Sequence, residues 1–252
     1  MRRIKITLAY DGTDFHGWQV QPNLPTIQGV LQQVLAEIEG RPVHVTGAGR
    51  TDAGVHALAQ VAAFDLVNPI PVENLRRAMN RLLPPQIRVL EVQQARPDFH
   101  PRHQALSKTY EYRIWRTEIC PPFERRYVHH FPYPLDEPRI MEAAPLLVGE
   151  HDFTAFAATD ERDREGGSKV RRIFASQLDR RGDRLVYRVT GSGFLKHMVR
   201  NIVGTLLRIG RGNLDAAGLR MLLESGKPAG AGPTAPACGL FLIEVRYAEP
   251  AL

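Results

Sequence analysis

The stretch Gly47-Ala48-Gly49-Arg50-Thr51-Asp52-Ala53-Gly54-Val55-His56 lies between two segments of strand character, Pro42-Val43-His44-Val45-Thr46 and the apolar run from Leu58 to Phe64. Its glycines first suggest a dinucleotide-binding turn. That fingerprint is G-x-G-x-x-G at the mouth of a helix, where backbone amides meet a pyrophosphate. Here the sixth position is Asp52, whose charge repels phosphate, and another strand follows within a few residues instead of a crossover helix. No nucleotide cofactor is expected. The turn joins two strands directly, and that adjacency sets the order of the elements around it.

Working outward, residues 3–10 alternate at period two and read as a strand, and Asp11-Gly12-Thr13-Asp14 reads as a turn. Thr26 caps a helix whose apolar positions Ile27, Val30, Leu31, Val34, Leu35 and Ile38 form one stripe, and Gly40 closes it. Strands are predicted at 42–47, 58–65 and 87–95, with a helix over 72–83. The order is β-α-β-β-α-β, the ferredoxin-like or split βαβ arrangement. The second half repeats it: a strand at 108–116, a helix from Asp136 to Val148 ending at Gly149, strands at 171–179 and 184–190 joined by Arg181-Gly182-Asp183, helices at 194–209 and 214–224, and a final strand from Leu240 to Tyr247. The predicted fold class is α+β, two related ferredoxin-like halves with mostly antiparallel sheets. The halves are residues 1–100, carrying the aspartate loop, and 101–252, with a cleft between them as a place for a ligand. Thr159 to Ser168 reads as a mobile charged loop, and Gly226 to Cys238 as irregular chain.

Composition narrows the partners. The 252 residues hold 33 basic and 27 acidic side chains, a formal charge of +6, and only five of the basic residues are lysine. Arginine offers phosphate a planar, bidentate fork and stacks on bases. The balance leans toward a polyanionic partner, and the excess is concentrated after residue 100, where 23 basic side chains face 18 acidic ones. Two cysteines, Cys120 and Cys238, without CxxC spacing argue against a zinc site or a disulfide framework and fit a reducing cytosol. No apolar run approaches the roughly 18 residues of a membrane span, and nothing marks the protein for export.

Three constellations can carry chemistry. Asp52 and His56 lack a second pair of ligands at sensible spacing, so no metal is expected and His56 reads as a local hydrogen-bonding residue. Asp52 fits two readings. It can be a turn aspartate bonding backbone amides. Alternatively, with Arg50 favouring the charged form, it is an ionised carboxylate able to act as base or nucleophile. In Lys108-Thr109-Tyr110-Glu111-Tyr112-Arg113-Ile114, residues Lys108, Tyr110, Tyr112 and Ile114 share one face of a strand. The tyrosines are either packed in the sheet or line the cleft, where a base can stack. On the helix from Phe194 to Ile209, residues His197, Arg200, Asn201, Gly204 and Arg208 form a polar stripe. That stripe is either solvated or holds Arg200 as a half-buried cation facing an acidic partner. Gly191-Ser192-Gly193 is no nucleophile elbow, and there is no P-loop.

These residues are similar to those of a known family. Six blocks, AYDGTDFHGWQ (9–19), GAGRTDAGVHALAQVAAF (47–64), DFHPRHQALSKTYEYRI (98–114), LLVGEHDFTAF (146–156), GFLKHMVRNIVGTLLRIG (193–210) and APACGLFLIEVRY (235–247), occur in order, and over nearly its whole length the chain resembles the tRNA pseudouridine synthase A family. The resemblance implies isomerisation of uridine to pseudouridine at positions 38, 39 and 40 of the tRNA anticodon stem-loop. It also implies a homodimer, with one tRNA contacting both subunits and no cofactor or metal. It assigns Asp52 as the nucleophile, attacking ribose C1′ or base C6, and Tyr110 as the ring packing on the target uracil and a candidate for the later proton abstraction. Arg200 becomes the partner of the aspartate, Arg50 a residue that displaces or holds the flipped nucleotide, and Leu242 part of the base pocket. Such a flip takes the uridine out of its stack. Cys238 stands where a polar residue is expected, and neither it nor the 159–169 segment receives a role. The alternative is a non-catalytic RNA-binding protein of tandem ferredoxin-like modules, but the aromatic string such modules carry on a central strand is not in this sequence.

Overall fold

The computed structural model describes residues 1–158, 167–225 and 230–248. Its elements run β1 (Arg2–Tyr10), α1 (Ile27–Glu39), β2 (Thr46–Gly47), β3 (His56–Leu66), α2 (Val72–Leu82), β4 (Ile87–Gln94), β5 (Ala105–Trp115), β6 (His129–His130), α3 (Glu137–Ala143), β7 (Gly149–Asp152), β8 (Val170–Arg181), β9 (Arg184–Gly191), α4 (Met198–Gly210), α5 (Ala216–Ser225) and β10 (Leu240–Tyr247). The class is mixed α+β with mostly antiparallel pairing. Residues 159–166 of the charged loop, and 226–229 of the Gly/Pro-rich tail, lie outside the described residues.

The chain divides into two units, Met1–Leu106 with Phe241–Leu252, and Ser107–Leu240. In the first, strands lie in the order β4-β1-β3-β10, with β2 also on β3. The period-two pattern of β1 buries Ile4, Ile6 and Leu8 completely and Tyr10 nearly so. The stripe of α1, with Ile27, Leu31 and Leu35 fully buried, and Leu75 and Met79 of α2 belong to the same core. Each such side chain contributes roughly 1.5–3 kcal/mol of transfer free energy. The ends of α1 follow the sequence: the Thr26 hydroxyl accepts from the Gly29 amide at 3.2 Å, and Gly40 closes the helix at φ 76°.

The strand predicted at 42–47 shrinks to β2. The backbone of Val45 is claimed by side chains of α1 in place of a neighbouring strand: its carbonyl accepts from Gln28 at 2.8 Å and its amide donates to Gln32 at 3.4 Å. The final strand, read from sequence with the second half, pairs in the first unit. Phe241 and Leu242 run parallel to His56 and Ala57 of β3. Such a pairing between distant segments leaves no local pattern.

In the second unit the strands lie in the order β5-β9-β8-β7, with β6 on the far end of β5. The helix predicted from Asp136 to Val148 is α3 followed by a 3-10 turn at Ala144–Leu147. Asp136 caps it by accepting from the Arg139 amide at 3.1 Å, and Pro145 cannot supply the amide an α-helix needs there. The helix predicted from 194 starts at Met198, because His197 takes a left-handed conformation at φ 60°. Tyr187 is fully buried, its hydroxyl 2.9 Å from Ser176 Oγ, which donates to the Ala144 carbonyl at 2.7 Å. A fully satisfied buried network of this kind rigidifies the core.

On β5, Tyr112 is completely buried and its hydroxyl donates to the Pro236 carbonyl at 2.7 Å. Lys108 shares that face, and burial pulls its amine down to about 8. Below about pH 8 both the folded and the unfolded chain carry this proton, so the cost of desolvating the charge is fully present. As pH rises from about 8 toward about 10.5 the folded amine is neutral while the unfolded one is still charged, and the cost fades. Lys108→Met should therefore stabilise the protein at pH 7 by roughly 1–2 kcal/mol, less than the full shift because the amine is partly exposed. In denaturant melts the advantage should shrink as pH approaches 10; a difference independent of pH would show that the amine is not desolvated.

Candidate active site

The loop that carries Asp52 is held from below and from the side. Below it, the β1–β3 ladder slips between Leu8 and Tyr10, pairing Leu8 with Gln60 but Tyr10 with Ala57. Such a bulge re-aims side chains next to a site. Here it brings Tyr10 and the fully buried Gln60 under the loop. The Gln60 amide donates to the Gly49 carbonyl at 3.0 Å, and the Tyr10 hydroxyl lies 2.8 Å from Thr51 Oγ1. Burial pushes the Tyr10 phenol up to about 12, against the pull of its bonds to Thr51 and Gln60, so it stays neutral.

From the side, the backbone of the segment Asp11–Trp18 interlocks with the loop. The Trp18 amide donates to the Thr51 carbonyl at 3.0 Å, the Gly54 amide to Phe15 at 3.3 Å, and the Gly12 amide to His56 Nδ1 at 3.0 Å. Two glycines permit this approach. A Cβ on Gly12 would collide with the Val55 carbonyl, and one on Gly17, at φ +85°, would sit 2.6 Å from the Thr51 carbonyl oxygen. The loop turns where the Val55 amide donates to the Asp52 carbonyl at 3.1 Å, with Gly54 inside the turn at φ 76°. Thr51 and Val55 on either side are buried, while Asp52 is part-exposed and Arg50 exposed. The loop thus presents a carboxylate from a backbone bonded on two sides.

His56, at the loop's exit, stacks on Phe241 with ring centroids 4.7 Å apart. Its neighbour Ala57 pairs with Leu242, which is fully buried. The first unit therefore brings Arg50, Asp52 and Leu242 to one end of β3.

In the second unit, Tyr110 on β5 is 7% exposed and meets Phe194 edge-to-face at 5.0 Å. The other face of β5 carries Glu111, whose carboxylate is bonded by Arg113 and Arg188, both at 2.8 Å, and those bonds hold it below the usual carboxylate range despite burial. Arg200 stands on α4, part-exposed. The polar stripe of α4 is not solvated but laced to the segment 230–235, which runs back along it. Arg208 donates to the Gly230 carbonyl at 2.7 Å, Thr205 Oγ1 accepts from the Gly232 amide at 2.8 Å, Asn201 accepts from the Thr234 hydroxyl at 2.6 Å, and Arg200 Nε donates to the Ala235 carbonyl at 2.7 Å. Gly204 makes room, since a Cβ there would strike the Pro233 carbonyl. Arg200 is thus a clamped, half-buried cation. Cys238, beside this segment, donates its thiol to the Val128 carbonyl at 3.3 Å, and burial pushes that thiol up.

The supporting residues lie within the family-like blocks, Tyr10, Gly12, Gly17 and Trp18 in AYDGTDFHGWQ, Thr51 and Gln60 in GAGRTDAGVHALAQVAAF and Ala235 at the start of APACGLFLIEVRY. Nothing in their own spacing marks them as supports of the loop or of Arg200.

Comparison with known proteins gives the family. A family model described as tRNA pseudouridine synthase matches residues 6–104 and 143–248. A protein of Solibacter usitatus named tRNA pseudouridine synthase A is 65% identical over 247 residues, covering 98% of this chain and 100% of that protein. Proteins of the same name from Lacticaseibacillus casei and Anoxybacillus flavithermus are 46% and 44% identical, covering 98% of this chain in each case and 100% and 99% of their own lengths. With Asp52 and its interlocked loop inside the first matched span, and Arg200 on α4 inside the second, the chain belongs to the tRNA pseudouridine synthase family.

Proposed function

We propose that this protein isomerises uridine to pseudouridine at positions 38, 39 and 40 of the tRNA anticodon stem-loop, with Asp52 as nucleophile and no cofactor. It acts in the cytoplasm as a homodimer, from two related ferredoxin-like halves. Membership of the family supports the reaction. The observation that carries the residue assignment is the part-exposed Asp52 carboxylate on a loop whose neighbours Thr51 and Val55 are buried and whose backbone is tied to Trp18, Phe15 and Gln60.

The chemistry asks for what such a loop offers. The N1–C1′ bond of uridine breaks, the uracil turns, and C5 bonds to C1′. The C5 proton is then lost and N1 gains one, so atoms balance without any co-reactant. A carboxylate adding to C1′ or to C6 holds one fragment covalently while the base turns. Tyr110 gives the extruded ring a surface to pack on and accepts or relays the C5 proton. Arg200, its guanidinium oriented by Ala235, is the counter-charge for Asp52. Arg50 holds the flipped nucleotide, and Leu242 supplies apolar wall to the base pocket. Reaction within a fixed geometry is where such a site gains most of its rate.

Asp52→Ala should abolish pseudouridine formation, a loss of at least about 10⁴-fold, while tRNA affinity stays within about threefold of wild type. Surviving turnover, or binding lost in step with turnover, would sink the nucleophile assignment. Tyr110→Phe should reduce single-turnover rates more than affinity, and an unchanged rate would remove the hydroxyl from proton transfer. Gly17→Ala should displace the Thr51–Asp52 backbone and lower turnover on the order of tenfold to a hundredfold, with tRNA affinity nearly retained; normal turnover would show that the interlock does not set the position of Asp52.

A further inference from the structure

Beyond the catalytic loop, the first unit holds a groove of about 310 Å³ flanked by Trp18, His44, Arg50, His100, Arg102 and His103. Two of these six side chains are permanent cations and three are imidazoles, and no carboxylate is among the described residues lining it. Its far wall, residues 98–104, is a fixed turn. His100 Nδ1 accepts the amides of Arg102 and His103, both at 3.2 Å, and the Gln104 amide donates to the His100 carbonyl at 3.1 Å. The turn is also tied to the sheet, since Arg3 donates to the Phe99 carbonyl at 3.0 Å and Tyr247 to the Pro101 carbonyl at 2.7 Å. With Nδ1 occupied as an acceptor, the neutral ring of His100 carries its proton on Nε2. The rings of His100 and His103 lie only 4.1 Å apart. Burial holds His100 below the usual imidazole range, and the charges of His103 and Arg3 add to that effect. So many cationic or protonatable groups on an anchored turn form a field that an anion relieves.

We propose that this groove is a binding site for a backbone phosphate of the RNA substrate, next to the nucleotide being isomerised. The proposal rests on the functional reading above, because it takes tRNA as the substrate. It goes beyond that reading in assigning Arg102 and His103, with the fixed turn that bears them, to the RNA. The location follows from Arg50, which belongs to both the groove and the catalytic loop and stands two residues from Asp52. Turning a nucleotide out of its stack rotates the backbone on either side. A phosphate gripped at the edge of the loop keeps the rest of the strand in place while one base moves. Phosphate contacts of this kind position the nucleic acid without reading its sequence.

The test uses Arg102→Ala, His103→Ala and the double variant of the full-length protein. Both side chains are exposed. Binding of unmodified tRNA is measured across salt concentrations, and KM and kcat for pseudouridine formation are measured alongside. The double variant should bind tRNA about tenfold or more weakly, with a log–log salt slope shallower by about one. KM should rise with the loss of affinity and kcat should fall far less, while Arg102→Lys restores most of the binding. Should the double variant show a folding defect in thermal melts, Arg102→Glu alone carries the test and should weaken binding further than Arg102→Ala. Affinity and slope equal to wild type would overturn the site, as would a fall in kcat with affinity intact. Weakened binding in the variants supports the site even if the wild type binds tRNA without forming pseudouridine, a result that would sink only the functional reading.

Discussion

Everything about the candidate site depends on two stretches of backbone approaching each other more closely than side chains allow. Segment 11–18 and loop 51–56 exchange amide-to-carbonyl and amide-to-imidazole bonds, and Gly12 and Gly17 stand where any Cβ would meet the opposite backbone. Each bond is worth only about 0.5–1.5 kcal/mol net, but an amide buried here without its partner would cost more than its bond contributes. The interlock is therefore cooperative. It forms with every partner in place or leaves several polar groups stranded. Asp52 inherits the position of its backbone from that condition.

The second unit solves the same problem differently. Arg200 is a long, flexible side chain, and orienting one costs rotamer entropy. The segment 230–235 removes that freedom by running back along α4 and accepting Arg200 Nε at Ala235. Gly204 is again the enabling residue, through the Pro233 carbonyl. Both units thus use glycine to let a non-regular segment approach a neighbouring backbone closely, and both place a charged side chain of the proposed chemistry at that junction.

That shared device explains what could be read in the sequence. α1 was legible down to both caps, because Thr26 and Gly40 act within a few residues of themselves. β1 was legible because its pleat buries alternate side chains, and β3 because it is a long apolar run buried on both faces. Residues Val43–Val45 were misread as strand because β-branched alternation says nothing about which partner takes the backbone, and here two glutamines of α1 take it. The polar stripe of α4 left two readings open, since its partners lie about 20 to 35 residues further along in a Gly/Pro-rich stretch with no periodicity. For the same reason β10 was assigned by chain order, although its parallel partner is β3. Asp52 itself stood out, but Tyr10 and Gln60 beneath it are ordinary strand residues until the bulge in the β1–β3 ladder turns them toward the loop.

The charge of the chain needs the same reading at the level of single residues. A balance of +6 with 28 arginines suggests a broadly basic surface. Many of those arginines are occupied within the fold: Arg3 with Asp65, Arg113 and Arg188 with Glu111, Arg116 and Arg180 with Glu137, and Arg184 with Glu124. Others, such as Arg88 on the Pro84 carbonyl, cap backbone groups. Such arginines are largely neutralised or committed, and add little to a long-range field once salt screens them. Arg50 and Arg102 make no ion pair with another described residue, and they meet across one groove. An attraction for a polyanion is then concentrated where the cations lack carboxylate partners and the backbone beneath them is fixed. In this protein those two conditions coincide beside the loop that carries Asp52.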